Sequence, residues 1–286
     1  MGAEHTHYRV FRNGSKTYFN SSVFFPKDVR SDVFVLYGFV RVADDFVDSA
    51  PQDASGFRAF RTAYRQALDG KPAGDEIIDP FVELSRRRRF APEWTEAFLS
   101  SMEMDLTKTT YRRLEETLEY IYGSAEVIGL YMARILELPT AAFHAAMMQG
   151  RAMQFINFVR DVAEDNGLGR TYLPLAETTL PDLSEDSARA DPGEFERFIR
   201  AQLDRYDEWQ AVAEGGYDFI PKRVLVPVKT ASDMYNWTGR VIRENPMTVF
   251  SRKVKPSRPR ILLNVARNAF RLSAKEHGSE SLSHRT

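Results

Sequence analysis

Residues 154–174, QFINFVRDVAEDNGLGRTYLP, form the stretch from which the fold and the chemistry of the chain can be predicted. The part before the first glycine is largely apolar and contains no helix breaker, which predicts a buried helix. Asn157, Asp161 and Asp165 recur every four residues, so they share one face of that helix, and Gln154 lies one turn earlier on the same side. Two carboxylates and two amides on a buried face need a compensating cation.

A hard divalent cation would remove the cost of burying these groups. Mg²⁺ is usually held by one or two carboxylates together with phosphate oxygens of a substrate. The stretch therefore predicts a metal site that binds a phosphorylated ligand.

A second acidic pair lies upstream, in residues 37–48, YGFVRVADDFVD. Asp44 and Asp48 have the same spacing of four, Asp45 is adjacent, and Arg41 precedes Asp44 by about one turn. One such pair alone is usually a solvated helix face. Two pairs in apolar helices favour a cage of four carboxylates for several Mg²⁺ ions, which suits a diphosphate because the ions neutralise its charge and assist its departure.

These motifs resemble those of the squalene/phytoene synthase family, the head-to-head prenyl synthases. The 154–174 stretch is similar to the second aspartate-rich motif of that family, and YGFVRVADDFVD is similar to the first. Further similarity is found in SKTYFNSSVFFP near the N-terminus, in MEMDL at 102–106 and in YIYGSAEVIGL at 120–130. The resemblance extends from about residue 15 to about residue 260.

The resemblance implies a role for each residue of the site. The metal ligands, for Mg²⁺ or for Mn²⁺ in its place, would be Asp44, Asp45, Asp48, Asn157, Asp161 and Asp165. The substrate-binding residues would be Ser15, Lys16, Thr17, Tyr18, Gln154, Asn157, Arg170, Tyr235 and Arg252. The catalytic residues would be Asp44, Asp48, Asp161, Asp165, Tyr120 and Arg41.

The resemblance also implies the reaction, a condensation of two prenyl diphosphates through a cyclopropylcarbinyl diphosphate. We expect phytoene from two geranylgeranyl diphosphates via prephytoene diphosphate, in carotenoid biosynthesis, because YGSAEVIGL is most similar to bacterial and archaeal phytoene synthases. The alternatives are squalene, which would need farnesyl diphosphate and NADPH, or a reaction that stops at presqualene diphosphate.

Two hypotheses from other classes remain open. Terpene cyclases also use aspartate-rich helices, but they usually pair one carboxylate motif with an Asn/Ser/Glu motif, and both motifs here are Asp-x-x-x-Asp. A non-catalytic helical scaffold is disfavoured because all four aspartates are present.

Every segment with a clear pattern is helical, which predicts an all-α bundle. The resemblance implies that the bundle is of the isoprenoid-synthase type around a central cavity. We expect a mobile segment at 1–14, one prenyl synthase domain at 15–274 and a disordered tail at 275–286.

The composition gives no support to several classes of function. The 39 basic and 40 acidic residues balance, so the chain as a whole gives no reason to expect nucleic acid as a partner, and the four arginines at 86–89 are expected to be a solvated face. There is no cysteine and no apolar signal or spanning segment, which favours the cytoplasm, with any membrane contact being peripheral. The oligomeric state is not indicated.

Three further features need a structure to interpret. Asp105 could be an acid that supports the site or simply a polar residue that faces it. Glu126 stands where the family usually has glycine, and in an apolar helix it needs a partner. A basic cluster at 252–260 follows the last helix that is predicted to line the cavity.

Overall fold

The computed structural model describes the backbone of residues 25–283 and the side chains of residues 25–270. Segment 1–14 and the predicted diphosphate contacts at Ser15, Lys16, Thr17 and Tyr18 lie outside the described residues. The described residues form the helices α1 Lys27–Asp48, α2 Ala54–Leu68, α3 Ile78–Arg88, α4 Pro92–Met104, α5 Leu114–Ile121, α6 Val127–Ile135, α7 Phe143–Arg160, α8 Val162–Gly167, α9 Glu185–Ala190, α10 Pro192–Glu214, α11 Lys222–Glu244, α12 Thr248–Ser251 and α13 Arg258–Ser283.

The all-α prediction is confirmed, since no β-strand occurs in residues 25–283. One isolated β-bridge pairs Thr110 with Thr171 among these residues. It connects the segment after α4 to the segment after α8. Helix α13 continues to Ser283, beyond residue 274, where the composition predicts that a disordered tail begins. Within the described part of the chain, no helix combines the length and the apolar character needed to span a bilayer.

Several helices start at capping residues or prolines in the sequence. Asp53 accepts a hydrogen bond from the Gly56 amide at 2.8 Å and caps α2. Asp191 caps α10 in the same way, with a proline in the first turn, and another proline begins α4. The positions of these helices are therefore set by local chemistry.

Small residues let the central helices approach closely. A π-helical segment, Tyr122–Glu126, joins α5 to α6 and packs on α4 and α7. A side chain at Gly123 would collide with the carbonyl of Ala97, and one at Gly129 with the carbonyl of Ala146. Helix α7, which carries the second aspartate motif, is thereby held against the core.

The arginines at 86–89 are largely exposed, as the sequence predicts, since Arg86, Arg87 and Arg89 are exposed and Arg88 is half-buried, but they also make tertiary contacts that the sequence did not indicate. Arg87 and Arg88 both donate to the buried carboxylate of Asp32, at 2.7 and 2.6 Å, and Arg86 donates to the last carbonyls of α2. The guanidinium groups neutralise a buried acid and cap a helix, because tertiary packing brings α1, α2 and α3 together.

Candidate active site

The first aspartate pair lies at the C-terminal end of α1. Arg41 Nη1 donates to Asp44 Oδ2 at 3.0 Å, and its Nη2 contacts Asp45 Oδ1 at 2.5 Å, so one guanidinium serves two carboxylates on the same helix. Asp44 is half-buried, whereas Asp45 and Asp48 are exposed. The exposed carboxylates remain accessible to a ligand from solvent.

The second pair lies where α7 gives way to α8. The sequence predicts a single helix to Gly167, but the backbone leaves helical geometry at Asp161, with φ −100° and ψ 15°. The amide of Asp161 still donates to Asn157 O and the amide of Asp165 to Asp161 O, both at 2.8 Å, so the chain continues in the same direction. The two carboxylates keep their one-turn spacing across the break.

Arg170 connects the two motifs. It follows α8, and its Nη1 donates to Asp48 Oδ1 at 2.7 Å while its Nη2 donates to the carbonyl of Val47 at 3.0 Å. Its amide is bonded to the carbonyl of Asp165. The end of the first motif and the end of the second therefore lie at one place in the fold.

Asp105 lies beneath the point where the two motifs meet, and it is only 5% exposed. It accepts hydrogen bonds from the hydroxyls of Tyr120 at 2.6 Å and Tyr172 at 2.8 Å. Burial raises the pKa of the Asp105 carboxyl, while the two phenols and Arg170 oppose that rise. Gln52, just after α1, donates to its backbone carbonyl at 2.8 Å. Of the two interpretations open from sequence, the structure supports the acid that organises the site.

Aromatic rings pack around this acid. The rings of Phe158 and Tyr172 stack with centroids 4.4 Å apart, and Tyr120 lies 5.1 Å from Tyr172. Burial and the Asp105 charge hold the pKa of Tyr120 well above its usual value, so the phenol keeps its proton. These rings supply a wall next to the carboxylates that is apolar apart from two hydroxyls.

Two cations pair with the second motif, one adjacent in sequence and one from the segment after α12. Lys253 Nζ lies 3.3 Å from Asp161 Oδ1 and also pairs with Glu164, and Arg160 contacts both oxygens of Asp161. Lys255 is also near, and burial followed by the Lys253 and Arg160 charges lowers its pKa. Lys253 and Arg160 were not predicted as site residues, although the basic cluster at 252–260 was a signal for the former.

One carboxyl in each pair has a pKa raised to about 7. For Asp44, burial is the largest cause and the neighbouring Asp48 the next. For Asp165, burial is again the largest cause, followed by Asp161. In each pair, burial and a neighbouring carboxylate together disfavour the charged form of one carboxyl, and a bound cation would relieve both effects.

The residues present fit a hard divalent cation. Asn157 Oδ1 is buried and has no hydrogen-bond partner among the described residues, so this oxygen is available to bind a cation. No cluster of three or more His, Cys, Asp or Glu side chains in residues 25–270 is close enough to hold one ion. Each ion would therefore take one or two protein carboxylates, with substrate oxygens and water completing its shell.

The other predicted residues are found in varied settings. Gln154 is half-buried on the face that carries Asn157. Tyr235 is half-buried on α11 and packs against the core. Arg252 is exposed at the end of α12, so the ion pair with the second motif falls to Lys253, its neighbour. Glu126 is buried and accepts from Arg151 Nε at 2.7 Å, which supplies the partner that its position requires.

Cavities do not by themselves identify the site. An open cavity of about 440 Å³ lies between α9, α10 and residues 245–251, and no aspartate of either motif lines it. A void of about 10 Å³ lies beside the second motif, lined by Asp165, Arg170 and Tyr172 among others. We place the site by its charges and hydrogen bonds, which converge on the two motifs.

Comparisons with known proteins agree on one family. The family model described as "Squalene/phytoene synthase" matches residues 11–260. A 15-cis-phytoene synthase from Paracoccus sp. (strain N81106 / MBIC 01143) is 29% identical over 258 residues, covering 86% of this chain and 84% of that protein. One from Pantoea ananas is 26% identical over 263 residues, with 86% and 84% covered.

Solved structures share the fold. A dehydrosqualene synthase in complex with ligand superposes with a TM-score of 0.81 at 19% identity, covering 95% of this chain and 97% of that one. Squalene synthase HpnC from Alicyclobacillus acidocaldarius gives a TM-score of 0.76 at 21% identity, with 85% and 94% covered. At these identities the likeness establishes the helical architecture.

Proposed function

Because the chain belongs to the squalene/phytoene synthase family and is a prenyltransferase, we propose that it condenses two geranylgeranyl diphosphates head to head into phytoene, with Mg²⁺ as its cofactor. The product would enter carotenoid biosynthesis. The curated relatives cited above are 15-cis-phytoene synthases, and this likeness is what favours the C40 product.

The observation that carries the proposal is the ion pair between Arg170 and Asp48. It joins the segment after the second motif to the end of the first, at 2.7 Å, and so supports a single site that uses both pairs of aspartates. A scaffold protein would have no need to bring four carboxylates to one place, since their mutual repulsion costs stability.

The metal would be held by Asp44, Asp48, Asn157, Asp161 and Asp165, with Asp45 at the exposed edge. When bound, Mg²⁺ would neutralise the diphosphate and assist its departure. Arg41 and Lys253, which now pair with the aspartates, would then be released to contact diphosphate oxygens.

The aromatic residues of the site would shield and stabilise the allylic cation. Loss of the first diphosphate leaves that cation, which bonds to the second substrate and loses a proton to give the cyclopropylcarbinyl diphosphate. Phe158, Tyr120 and Tyr172 would exclude water and present aromatic faces to the positive charge. The buried Asp105 would hold the two tyrosines in place.

A product assay tests the proposal. Purified protein is incubated with Mg²⁺ and either geranylgeranyl or farnesyl diphosphate, with and without NADPH, and the organic extract is analysed by mass spectrometry. We expect phytoene from the C20 substrate without NADPH, and no product after chelation of the metal.

Other outcomes would replace the proposal with a stated alternative. A C30 hydrocarbon that requires NADPH would identify a squalene synthase, and a C30 diphosphate alone would identify the presqualene half-reaction. Absence of product from either substrate would favour the scaffold, and an Asp165→Asn variant that kept the protein's cellular role would point the same way.

A further inference from the structure

Helix α13 packs on the bundle through a side that contains two asparagines. Asn268 is buried, and its Nδ2 donates to Asp233 Oδ2 at 2.8 Å and to Thr230 Oγ1 at 3.2 Å, both on α11. Asn264, one turn earlier, is half-buried against Met234. Two asparagines therefore share the inward side of α13 with the half-buried Ile261 and Val265.

The opposite side of α13 is apolar and faces outward. Leu262 is 63% exposed, Leu263 71% and Phe270 76%, which makes them the most exposed large apolar side chains among the described residues. An apolar patch of this kind, rimmed by polar groups, marks a surface that another partner covers.

Cationic side chains border this apolar side. At ~100° per residue, Leu262, Phe270 and Leu263 fall within an arc of about 100°. Arg258 lies on one edge of that arc and Arg267 on the other, and both are exposed. An apolar stripe between arginines is typical of a helix that lies in the headgroup region of a bilayer.

The helix is held to the protein at its N-terminal end. The Arg260 guanidinium lies 4.6 Å from the ring centroid of Trp237 on α11. Together with the Asn268 hydrogen bonds, this contact sets which side of α13 is presented outward.

We propose that α13 is a membrane-docking helix that inserts Leu262, Leu263 and Phe270 into the surface of an anionic bilayer. Arg258 and Arg267 contact the lipid headgroups. The charges favour a bilayer over a second copy of the chain, because a two-fold contact through this face would bring the arginines of two copies together. An anionic surface attracts the same arginines.

Vesicle flotation tests the proposal without reference to catalysis, so its outcome is separate from that of the product assay. The full chain is mixed with vesicles of phosphatidylcholine alone or with added phosphatidylglycerol. We expect binding to the anionic vesicles that weakens with salt. The triple variant Leu262→Ser, Leu263→Ser, Phe270→Ser should lose binding by about tenfold or more, because it removes the inserted apolar area.

Matched variants test whether binding depends on the apolar side of α13 in particular, and what the two arginines contribute to it. Val212→Ser with Phe219→Ser removes two exposed apolar side chains elsewhere and should bind as the wild type does. Arg258→Gln with Arg267→Gln should lose the preference for phosphatidylglycerol. Equal binding by the triple variant, or no binding by the wild type, would overturn the proposal.

A probe at a single position gives a second readout that does not depend on the triple variant folding. The chain has no cysteine, so Leu263→Cys can be labelled with an environment-sensitive fluorophore at one site. Its emission should shift to the blue when anionic vesicles are added, while a label at Val212→Cys should not respond. A label that is already shielded in buffer, together with a dimer that the triple variant dissociates, would show that a second copy covers the face and would refute the bilayer.

Discussion

The two aspartate pairs have the same spacing but different counter-charges. In the first, Arg41 lies on the same helix as Asp44 and Asp45, and Arg170, from elsewhere in the chain, pairs with Asp48. In the second, Asp161 lies at a break between two helices and pairs with its neighbour Arg160 and with Lys253, which follows α12.

The two pairs nevertheless share one electrostatic feature. Each contains a carboxyl whose pKa is raised to about 7, namely Asp44 in the first and Asp165 in the second. In each pair the other aspartate has an ion pair with a residue of a different element, Asp48 with Arg170 and Asp161 with Lys253. Each motif is thus balanced by one cation close in sequence, Arg41 or Arg160, and by one that tertiary packing brings to it, Arg170 or Lys253.

The largest effect should follow removal of the two half-buried carboxylates whose pKa values are raised. Asp44→Asn and Asp165→Asn should each lower kcat by about 10³-fold, since a metal-binding charge worth several kcal/mol is lost. The exposed neighbour provides the control, and Asp45→Asn should cost less than about tenfold. Steady-state kinetics with saturating Mg²⁺ measure both. An equal loss in Asp45→Asn would mean that burial does not distinguish the ligands.

Asn157 tests whether the second motif holds the metal through an amide. Asn157→Ala should raise the Mg²⁺ concentration needed for half-maximal activity by about 10- to 100-fold, as loss of an ion's supporting contact does. The same variant should not lower the melting temperature of the metal-free protein, because the amide oxygen that it removes has no partner there.

Gln202 is a suitable comparison for that variant because it is also a buried amide, but it donates to Glu177. Gln202→Ala should lower the melting temperature and leave the Mg²⁺ requirement unchanged. If the two variants behaved alike, the amide of Asn157 would be structural.

Asp105 is expected to have an intermediate effect, because it links the aromatic wall to both motifs. Asp105→Asn leaves the Tyr120 and Tyr172 hydroxyls with a weaker acceptor and should cost about 1–3 kcal/mol of stability. It should also lower kcat more than it raises KM. Tyr172→Phe, which removes one of the two hydrogen bonds, should give a smaller change in both measurements, and a larger change would contradict this role.

Stability of the metal-free protein should fall as the pH rises from about 4 to about 7. The folded-state pKa values of Asp44 and Asp165 lie above the value near 4 of the unfolded chain, so the folded state binds more protons in this window. The stability that protonation contributes is present below pH 4 and is lost as the pH passes through 7. Thermal unfolding in chelator should show a decrease of several degrees.

Substitution of both acids tests the origin of this pH dependence. The double variant Asp44→Asn, Asp165→Asn should flatten the decrease, because the groups that titrate are gone. Added Mg²⁺ should stabilise the wild type more at pH 8 than at pH 6, since both carboxylates are then free of protons. A pH dependence unchanged in the double variant would assign it to other groups.

The smallest expected effect is on KM, when either of two adjacent basic residues, Lys253 and Arg252, is replaced. Lys253→Gln should change KM by a few-fold, since it loses ion pairs with Asp161 and Glu164 that are partly exposed. Arg252→Gln should change KM less, because no ion pair joins Arg252 to either motif among the described residues, whereas Lys253 has two such contacts. If Arg252→Gln raised KM more than Lys253→Gln, the substrate-binding role that the resemblance implies for Arg252 would gain support.

Local patterns in the sequence were sufficient for the helical class, for the two aspartate pairs and for the amides in phase with them. A period of 3.6 residues is encoded within one segment, so Asn157, Asp161 and Asp165 can be assigned to one face without knowing their neighbours. The close approach at Gly123 and Gly129 was also predictable, because small residues at these positions permit it.

Tertiary structure alone decided which groups neutralise these residues. Arg170 with Asp48, Lys253 with Asp161, Arg151 with Glu126 and two arginines with Asp32 are pairs between residues far apart in the chain. No local pattern specifies such partners, because they depend on how helices pack. The outward apolar side of α13 also depends on packing. Only the contact with α11 shows that the asparagines are inside and the leucines outside.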